Sequence, residues 1–267
     1  MPATAHVNPS AVPPLAQLRI TGADARKFLQ GQLSNDIELL AADRLLCAGL
    51  HTPQGRVLAV LQLCAAGSDE VLALLPEDVA ALAAGALTRF ILRAKVKISV
   101  EPAASALCAL PGAPASTVAM KIADIGRGLP QVYAASSGQF IAQMLNLDVL
   151  HAIAFDKGCY TGQEVIARAH YRGRVKRRMQ RFATDTALAL APGAALRLSD
   201  GRNAQLVDSV RLDNGSCEFL AVTTVPDAST VADAASAPDA SDPQAAAAAS
   251  DAALIPSRQL PLPYALP

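Results

Sequence analysis

The sequence predicts an α+β protein in which a body of mixed strands and helices precedes a small β-barrel. From residue 15 to about residue 100, short apolar runs typical of strands alternate with helical segments. From residue 175 to 225, short strand-like runs alternate with turn signals such as Asp200-Gly201, which is typical of a small antiparallel barrel. The apolar share of 52% over 267 residues is enough to bury a sizeable core.

Apolar patterning and turn residues define the first elements of the body. Residues 15–20 predict a short strand, and the helix that follows carries Phe28 and Leu29. Two apolar runs, 44–50 and 56–64, flank the sequence Thr-Pro-Gln-Gly. Proline and glycine at that position mark a turn, so the two runs predict a hairpin.

A strand, a helix and another strand complete the first half of the body. The third strand is predicted at 71–75. Pro76 and the two acids after it favour a helix start, because proline is tolerated in the first turn and acids suit its positive end. Alternating apolar residues predict a strand at 95–100, and the Ala/Pro/Ser-rich residues 101–117 predict a linker.

These elements suggest four regions along the chain. Residues 1–14, with four prolines, are expected to be a flexible N-terminus, and residues 15–174 are expected to form the body. The small barrel takes residues 175–226 together with 254–267. Between them, residues 227–253 contain 13 alanines, five aspartates and no basic or aromatic residue. This composition predicts a disordered acidic insertion.

Composition also excludes several classes of protein. The formal net charge is zero, so bulk electrostatics predict no polyanion partner. Five scattered cysteines without a C-x-x-C pair favour a reducing compartment and argue against a conventional zinc site. No apolar stretch reaches the roughly 18 residues of a membrane helix, and the N-terminus resembles neither a signal nor a transit peptide. We therefore expect a cytoplasmic protein that binds no metal.

The main candidate for chemistry is the 12-residue run KGCYTGQEVIAR, which starts at Lys157. Thr161 and Glu164 have the spacing of a capping box and predict a helix over about residues 162–170. Both the helix N-terminus and Lys157 favour a thiolate at Cys159, which makes Cys159 the candidate functional thiol. The alternative is a buried, inert cysteine.

Directly after this run, seven cations occur within 14 residues, with no acid among them. They are Arg168, Arg172, Arg174, Lys176, Arg177, Arg178 and Arg181. Two interpretations stay open, a solvated charged face and a site for an anion such as a polyglutamyl tail, a phosphate or RNA. Arginine and lysine suit carboxylates and phosphates alike, so the run does not choose among these anions.

Other segments match one family in the same order along nearly the whole chain. Besides the cysteine run they are ITGAD at 20–24, FLQGQLSND at 28–36, GQFI at 138–141, NL at 146–147, YRG at 171–173 and PLPY at 261–264. Together they resemble the YgfZ-like folate-binding proteins, which are related to the aminomethyltransferase T-protein of glycine cleavage.

This resemblance implies a fold and a function. The fold would be a T-protein-like α+β body with a central cavity, followed by the small β-barrel. The protein would bind tetrahydrofolate or a derivative and support the maturation or repair of iron–sulfur enzymes, including a tRNA-modifying one, with Cys159 as the key residue. The implied partners are folate, iron–sulfur client proteins or assembly factors, and tRNA as a further candidate. We expect a monomer without a permanent metal or cluster, because one cysteine cannot hold a cluster alone.

The candidate cofactor contacts come from two segments. Asn35 and Asp36 belong to the stretch that the resemblance places near the folate cavity, although they could also be a simple loop or cap pair. The others follow Cys159 and are Tyr160, Gln163, Glu164, Arg168 and Arg172. If the capping box forms, Glu164 is occupied by it.

Two further functions stay open beside the accessory role. The first is a folate-dependent one-carbon transferase like the T-protein, which needs a carboxylate beside the pterin. In related proteins an acid stands at the position of Gly126, so this glycine speaks against the transferase. The second is a tRNA-binding module that uses residues 168–181 and depends steeply on salt. A non-catalytic accessory factor is the favoured alternative to an enzyme.

Overall fold

In the computed structural model, the described residues are 13–102, 116–173, 175–225 and 252–267. The predicted flexible N-terminus up to residue 12, most of the predicted linker and nearly all of the predicted acidic insertion lie outside them, as do Arg174 and Cys108. Within the described residues the α+β class is confirmed, because two antiparallel-rich sheets are accompanied by four α-helices and two short 3₁₀ helices.

The first sheet is five-stranded, and all of its pairs are antiparallel. Its strands are β1 (Leu15–Thr21), β2 (Leu46–His51), β3 (Val57–Ala65), β4 (Glu70–Pro76) and β5 (Lys97–Pro102), in the spatial order β2-β3-β4-β1-β5. The predicted hairpin is therefore confirmed as β2–β3, which pairs antiparallel. The turn between these two strands contacts Gly162 and Val165.

Two helices pack on this sheet. Helix α1 (Ala25–Gln30) buries Phe28 and Leu29 as predicted, and α2 (Glu77–Thr88) starts directly after Pro76. The acids Glu77 and Asp78 lie in the first turn of α2, where they complement the helix dipole. The apolar sides of both helices and the inner face of the sheet form one continuous core.

A helix that the sequence did not predict, α3 (Thr117–Arg127), lies between the two sheets. The Ser116 side chain caps its start by accepting a hydrogen bond from the backbone N–H of Ala119, and Gly128 ends it at a φ of +65°. The buried residues of this helix are Met120, Lys121, Asp124 and Ile125. Since two of these four are charged, an apolar pattern does not reveal the helix.

The second sheet is six-stranded and curls into a half-barrel. Its strands are β6 (Arg177–Thr184), β7 (Ala195–Leu198), β8 (Asn203–Arg211), β9 (Cys217–Thr224), β10 (Ala253–Ile255) and β11 (Arg258–Leu260), in the order β10-β7-β8-β9-β6-β11. Only two residues separate β10 from β11, yet these strands lie at opposite edges, so the edges must approach each other. The antiparallel pattern predicted for residues 175–225 is confirmed in the pairs β7–β8, β8–β9 and β6–β9, whereas β10, which lies outside that range, runs parallel to β7.

A charged cluster buried between the sheets joins α3 to β8. The Lys121 Nζ lies 2.7 Å from Asp208 Oδ1 and donates a 2.6 Å hydrogen bond to the Tyr133 hydroxyl. Tyr133 in turn donates to the same Asp208 oxygen at 2.9 Å. Burial raises the pKa of Asp208, while the Lys121 ammonium acts in the opposite direction.

The neighbouring carboxylate, Asp124, extends this cluster to the first sheet. One of its oxygens accepts from Gln62 on β3 at 2.9 Å and from Gln131 at 3.3 Å, and the other pairs with Arg127. Polar bonds therefore connect α3 to both sheets and fix their relative position.

The buried pair of Lys121 and Asp208 leads to a stability prediction. We expect Lys121→Met to lower the free energy of unfolding by about 3–5 kcal/mol, because it leaves a buried carboxylate without its cation. The matched control is Arg19→Gln, since Arg19 forms a 2.7 Å pair with Glu70 and is 46% exposed. The control should cost less than about 1 kcal/mol. Urea denaturation measures both, and equal losses would contradict the assigned role of the cluster.

Candidate functional site

Cys159 lies in the loop before helix α4 (Gln163–Arg172) and is exposed. The other described cysteines are half-buried (Cys47) or buried (Cys64 and Cys217). Burial raises the pKa of the Cys47 thiol to about 12 and also raises that of Cys64, so neither forms a thiolate readily. Among the described residues, the accessible thiol is therefore that of Cys159.

The predicted capping box at the start of α4 is wrong. The N-cap is Gly162 with a φ of +84°, and no side chain caps the helix. Instead, the backbone N–H of Tyr160 donates to Gln163 Oε1 at 3.1 Å, and that of Gln163 donates to the Tyr160 carbonyl at 3.3 Å. Glu164 is thereby left exposed and forms only a 3.5 Å pair with Arg168.

The turn of the β2–β3 hairpin packs against this loop and the first turn of α4. A Cβ atom on Gly162 would lie 2.5 Å from the Thr52 carbonyl oxygen, and one on Gly55 would lie 3.0 Å from Val165 Cβ. Neither position has room for a side chain. Glycine at both positions therefore lets the hairpin turn and the start of α4 make close contact.

Lys157 joins the cysteine loop to the N-terminal part of the chain. Its Nζ donates hydrogen bonds to the carbonyls of Leu33 at 2.8 Å and Asn35 at 2.7 Å, and it lies 5.3 Å from the centre of the Tyr160 ring. Burial lowers the pKa of its amine to about 8, and the Asp36 carboxylate acts in the opposite direction. These bonds hold together the two segments that carry the candidate cofactor contacts.

The side chains of Asn35 and Asp36 hold the backbone in place. Buried Asn35 donates from Nδ2 to the carbonyls of Cys47 at 2.7 Å and His151 at 2.9 Å. Asp36 caps a 3₁₀ helix, Ile37–Leu39, through the backbone N–H of Glu38. The cap-pair interpretation therefore describes both residues, and their contact with a cofactor stays a proposal.

An open cleft of about 260 Å³ is lined by residues from both sides of Cys159 in the sequence. It is lined by Ala154, Phe155, Lys157, Tyr160, Gln163, Glu164 and Ala167. The structure thus gathers four of the predicted residues, Lys157, Tyr160, Gln163 and Glu164, at one surface. Burial raises the pKa of the Tyr160 phenol to about 12, so this side chain stays neutral.

Two lining or supporting residues were missed by sequence reasoning. Phe155 lines the cleft, but it directly follows the apolar residues 152–154, where one more apolar residue gives no distinct signal. His51 at the end of β2 is 2% exposed, and its ring centre lies 6.5 Å from that of Tyr160. Neither of its ring nitrogens has a hydrogen-bond partner, and burial lowers its pKa to about 3.

The basic run does not form one exposed surface, although both interpretations left open by the sequence treat its cations as a group. Arg178 is buried and makes two 3.0 Å bonds to the carboxylate of Asp148, and Arg181 pairs with Glu218 at 2.6 Å. These acids lie far away in the sequence, which is why the run alone looks unpaired. Arg168 and Arg172 remain exposed on α4.

The described ranges contain neither a cluster of metal ligands nor a membrane-spanning helix. There, no group of three histidine, cysteine or acidic residues could hold a metal ion. Likewise, none of the helices that the structure describes combines the length and apolar character needed to cross a bilayer.

The close fit at Gly162 predicts a local defect on substitution. We expect Gly162→Ala to lower the midpoint of thermal unfolding, because left-handed backbone costs an alanine about 1–2 kcal/mol and the added methyl meets the Thr52 carbonyl. Gly158→Ala is the matched control in the same loop, since a Cβ there has no neighbour within 4 Å. Equal midpoints for both variants would show that the hairpin turn does not constrain the loop.

Buried His51 predicts a stability loss in mild acid. Its folded pKa of about 3 lies below the ordinary value of 6.5, so the unfolded chain binds the proton first. Stability is therefore lost as the pH falls below 6.5, by about 2 kcal/mol between pH 7 and 5. Urea denaturation at both pH values should show a smaller loss for His51→Leu. An identical loss in the variant would assign the effect to other groups.

The sequence is similar to those of two bacterial proteins. No family model matches the chain. The tRNA-modifying protein YgfZ of Yersinia pseudotuberculosis is 30% identical over an alignment that covers 78% of this chain and 81% of that protein. An uncharacterised protein of Haemophilus influenzae is 30% identical over 198 residues, covering 63% of this chain and 71% of its own length.

A solved structure supports the fold independently. The glycine cleavage system aminomethyltransferase T from Bartonella henselae superimposes with a TM-score of 0.56, over 79% of this chain and 76% of that chain. At 12% identity this likeness shows the fold alone, and it confirms the predicted T-protein-like architecture. Identity and coverage relative to the Yersinia protein show that the chain belongs to the YgfZ family.

Proposed function

We propose that this protein binds tetrahydrofolate or a derivative and serves as an accessory factor for iron–sulfur enzymes, with Cys159 as its working thiol. Its clients would include tRNA-modifying enzymes, since the Yersinia relatives carry the name tRNA-modifying protein. The proposal combines a folate-binding function, in keeping with the T-protein fold, with a thiol function at one exposed residue.

The observation that carries the proposal is the position of Cys159. It is an exposed thiol between Lys157 and Tyr160, two residues that line the same cleft. Lys157, Tyr160 and the close contact at Gly162 hold the loop in one conformation. An exposed cysteine on a fixed loop can meet a partner protein, which the buried thiol of Cys64 cannot do.

The chemistry of the cleft suits part of a folate. Phe155 and Tyr160 offer aromatic surface to a ring, and the polar groups of Gln163 and Glu164 suit the hydrogen-bonding edge of a pterin. Exposed Arg168 and Arg172 suit the carboxylates of a glutamyl tail. The cleft volume, about 260 Å³, is below the roughly 300–1,000 Å³ typical for drug-sized ligands. We therefore assign it only one end of the molecule.

The thiol has a distinct role in the proposal. A thiolate is a natural ligand for the iron of a cluster, and a single one binds such iron only while other ligands come from a partner. Cys159 would thus contact the iron or sulfur of a client during repair or assembly. No stable cluster on this chain is required.

The one-carbon transferase alternative has less support from the structure. Gly126 lies in α3, and its carbonyl accepts a 3.4 Å hydrogen bond from Arg181. The nearby acid Asp124 is fully buried and already bonded to Gln62, Gln131 and Arg127. A carboxylate free to act beside a pterin is therefore absent from this part of α3. Turnover of an aminomethyl or N-methyl donor by the pure protein would revive the alternative.

One experiment separates the two functions in the proposal. We expect Cys159→Ala to bind tetrahydrofolate in anaerobic calorimetry within about twofold of the wild type, because the thiol does not line the cleft. The same variant, at wild-type expression, should fail to restore the iron–sulfur enzyme activities of a strain that lacks its own YgfZ. Cys64→Ala is the matched control, and it should both bind folate and restore activity.

Each half of the proposal has its own contrary result. If the wild-type protein shows no saturable tetrahydrofolate binding, the folate function is wrong. Full restoration by Cys159→Ala would remove the thiol function and leave folate binding intact.

A further inference from the structure

Three aromatic rings contact one another on the surface beside the cleft, two of them stacked and the third edge-on. The rings of Phe155 and His170 are stacked at 3.9 Å with an angle of 19°, and Tyr171 meets both edge-on at 6.0 and 4.8 Å. Phe155 also packs against the core between the sheets, which fixes the base of the stack. Tyr171, at the outer end, is 69% exposed. We call Phe155, His170 and Tyr171 the ring stack.

Cations flank the ring stack along one side of α4. Arg168 and Arg172 are four residues apart and therefore lie on one stripe of the helix, and both are exposed. Two acids, Asp156 and Glu164, are exposed nearby. Glu164 pairs with Arg168 at 3.5 Å, but both side chains are more than 70% exposed. Such a pair is weak enough for the guanidinium to turn towards another anion.

We propose that the ring stack and these two arginines bind an unpaired stretch of RNA. A base would stack on the open face of Tyr171, and the adjoining phosphates would bind Arg168 and Arg172. Aromatic surface with flanking cations is the usual combination for single-stranded nucleic acid, because every base offers a face for stacking and every linkage carries a charge. Phe155, Arg168 and Arg172 also take part in the proposed folate site, so RNA and a polyglutamyl folate would compete for them, whereas Tyr171 belongs to the RNA site alone.

The chemistry favours unpaired RNA over the other polyanions. Bases within a duplex already stack on each other, so a solvent-facing tyrosine has nothing to stack on there. Folded RNA commonly presents unpaired loops and bulges whose bases stack on aromatic rings and guanidinium groups. An acidic peptide would use the arginines but would gain little from the exposed face of Tyr171.

The zero net charge of the chain is compatible with such a site. Binding would depend on a local group of two arginines rather than on a long-range field, so the affinity should be modest. Two phosphate contacts also predict a shallow dependence on salt. This differs from the steep dependence expected if all seven cations of residues 168–181 took part.

The test uses the full-length protein and a fluorescent, unstructured RNA of about 12 nucleotides, with anisotropy measured from roughly 50 to 200 mM KCl. We expect Tyr171→Ala to weaken binding roughly fivefold or more, and Tyr171→Phe to retain it. Replacing both Arg168 and Arg172 by glutamine should reduce the salt slope by about 1.4. Phe90→Ala is the matched control, because Phe90 is 50% exposed and follows Arg89 in the turn just beyond the end of α2.

Several results would overturn the proposal. Absence of RNA binding at the lowest salt would do so, as would equal affinities for wild type and Tyr171→Ala. Equal binding of the same sequence as a duplex would exclude stacking on unpaired bases. The folding of each variant is checked by its thermal midpoint, since Tyr171 is a surface residue and its removal should leave the midpoint unchanged.

Discussion

The candidate site depends on the bonds that hold residues 33–36 against the loop before α4. Ser34 donates to the Ala152 carbonyl at 2.7 Å, Asn35 donates to the His151 carbonyl, and Lys157 returns two bonds to residues 33 and 35. All of these groups are partly or fully buried, where an unpaired partner is costly. The loop therefore has few conformations to choose from, although more than 100 residues separate the two segments in the chain.

The contacts of Lys157 compensate for the partial burial of its ammonium group. An ammonium group in a half-buried position needs acceptors, and the two carbonyls and the Tyr160 ring supply them. The same contacts hold Tyr160 on the core between the sheets and leave Cys159 pointing away from it. A residue that looks like an activating cation in the sequence thus also acts as a positioning residue for its neighbour.

Much of the fold follows from the sequence, and the exceptions have identifiable physical causes. Alternating apolar residues and turn residues predicted the β2–β3 hairpin and α2, because local patterning determines both. Helix α3 escaped because Lys121 and Asp124 occupy its buried side, and only their partners on other elements make that burial favourable. The capping box failed because Gly162 takes left-handed backbone, which no local motif encodes.

The candidate site, too, could be predicted only in part from the sequence. Short-range spacing was sufficient to single out Cys159, Lys157 and Tyr160. Spacing could not show that the Asn35 side chain donates to two backbone carbonyls. Nor could it show that Arg178 pairs with Asp148 and Arg181 with Glu218. Such pairings between distant segments arise only from the tertiary fold.

Because the connection between β10 and β11 is short, residues 253–260 pair with two strands of the barrel at once. Because one stretch of chain covers the outer strands β7 and β6 together, its loss would uncover two rows of backbone donors and acceptors at once. Uncovered strand edges readily pair with other chains, so this segment also protects the molecule from self-association. Residues 253–260 thus favour solubility as well as the shape of the barrel.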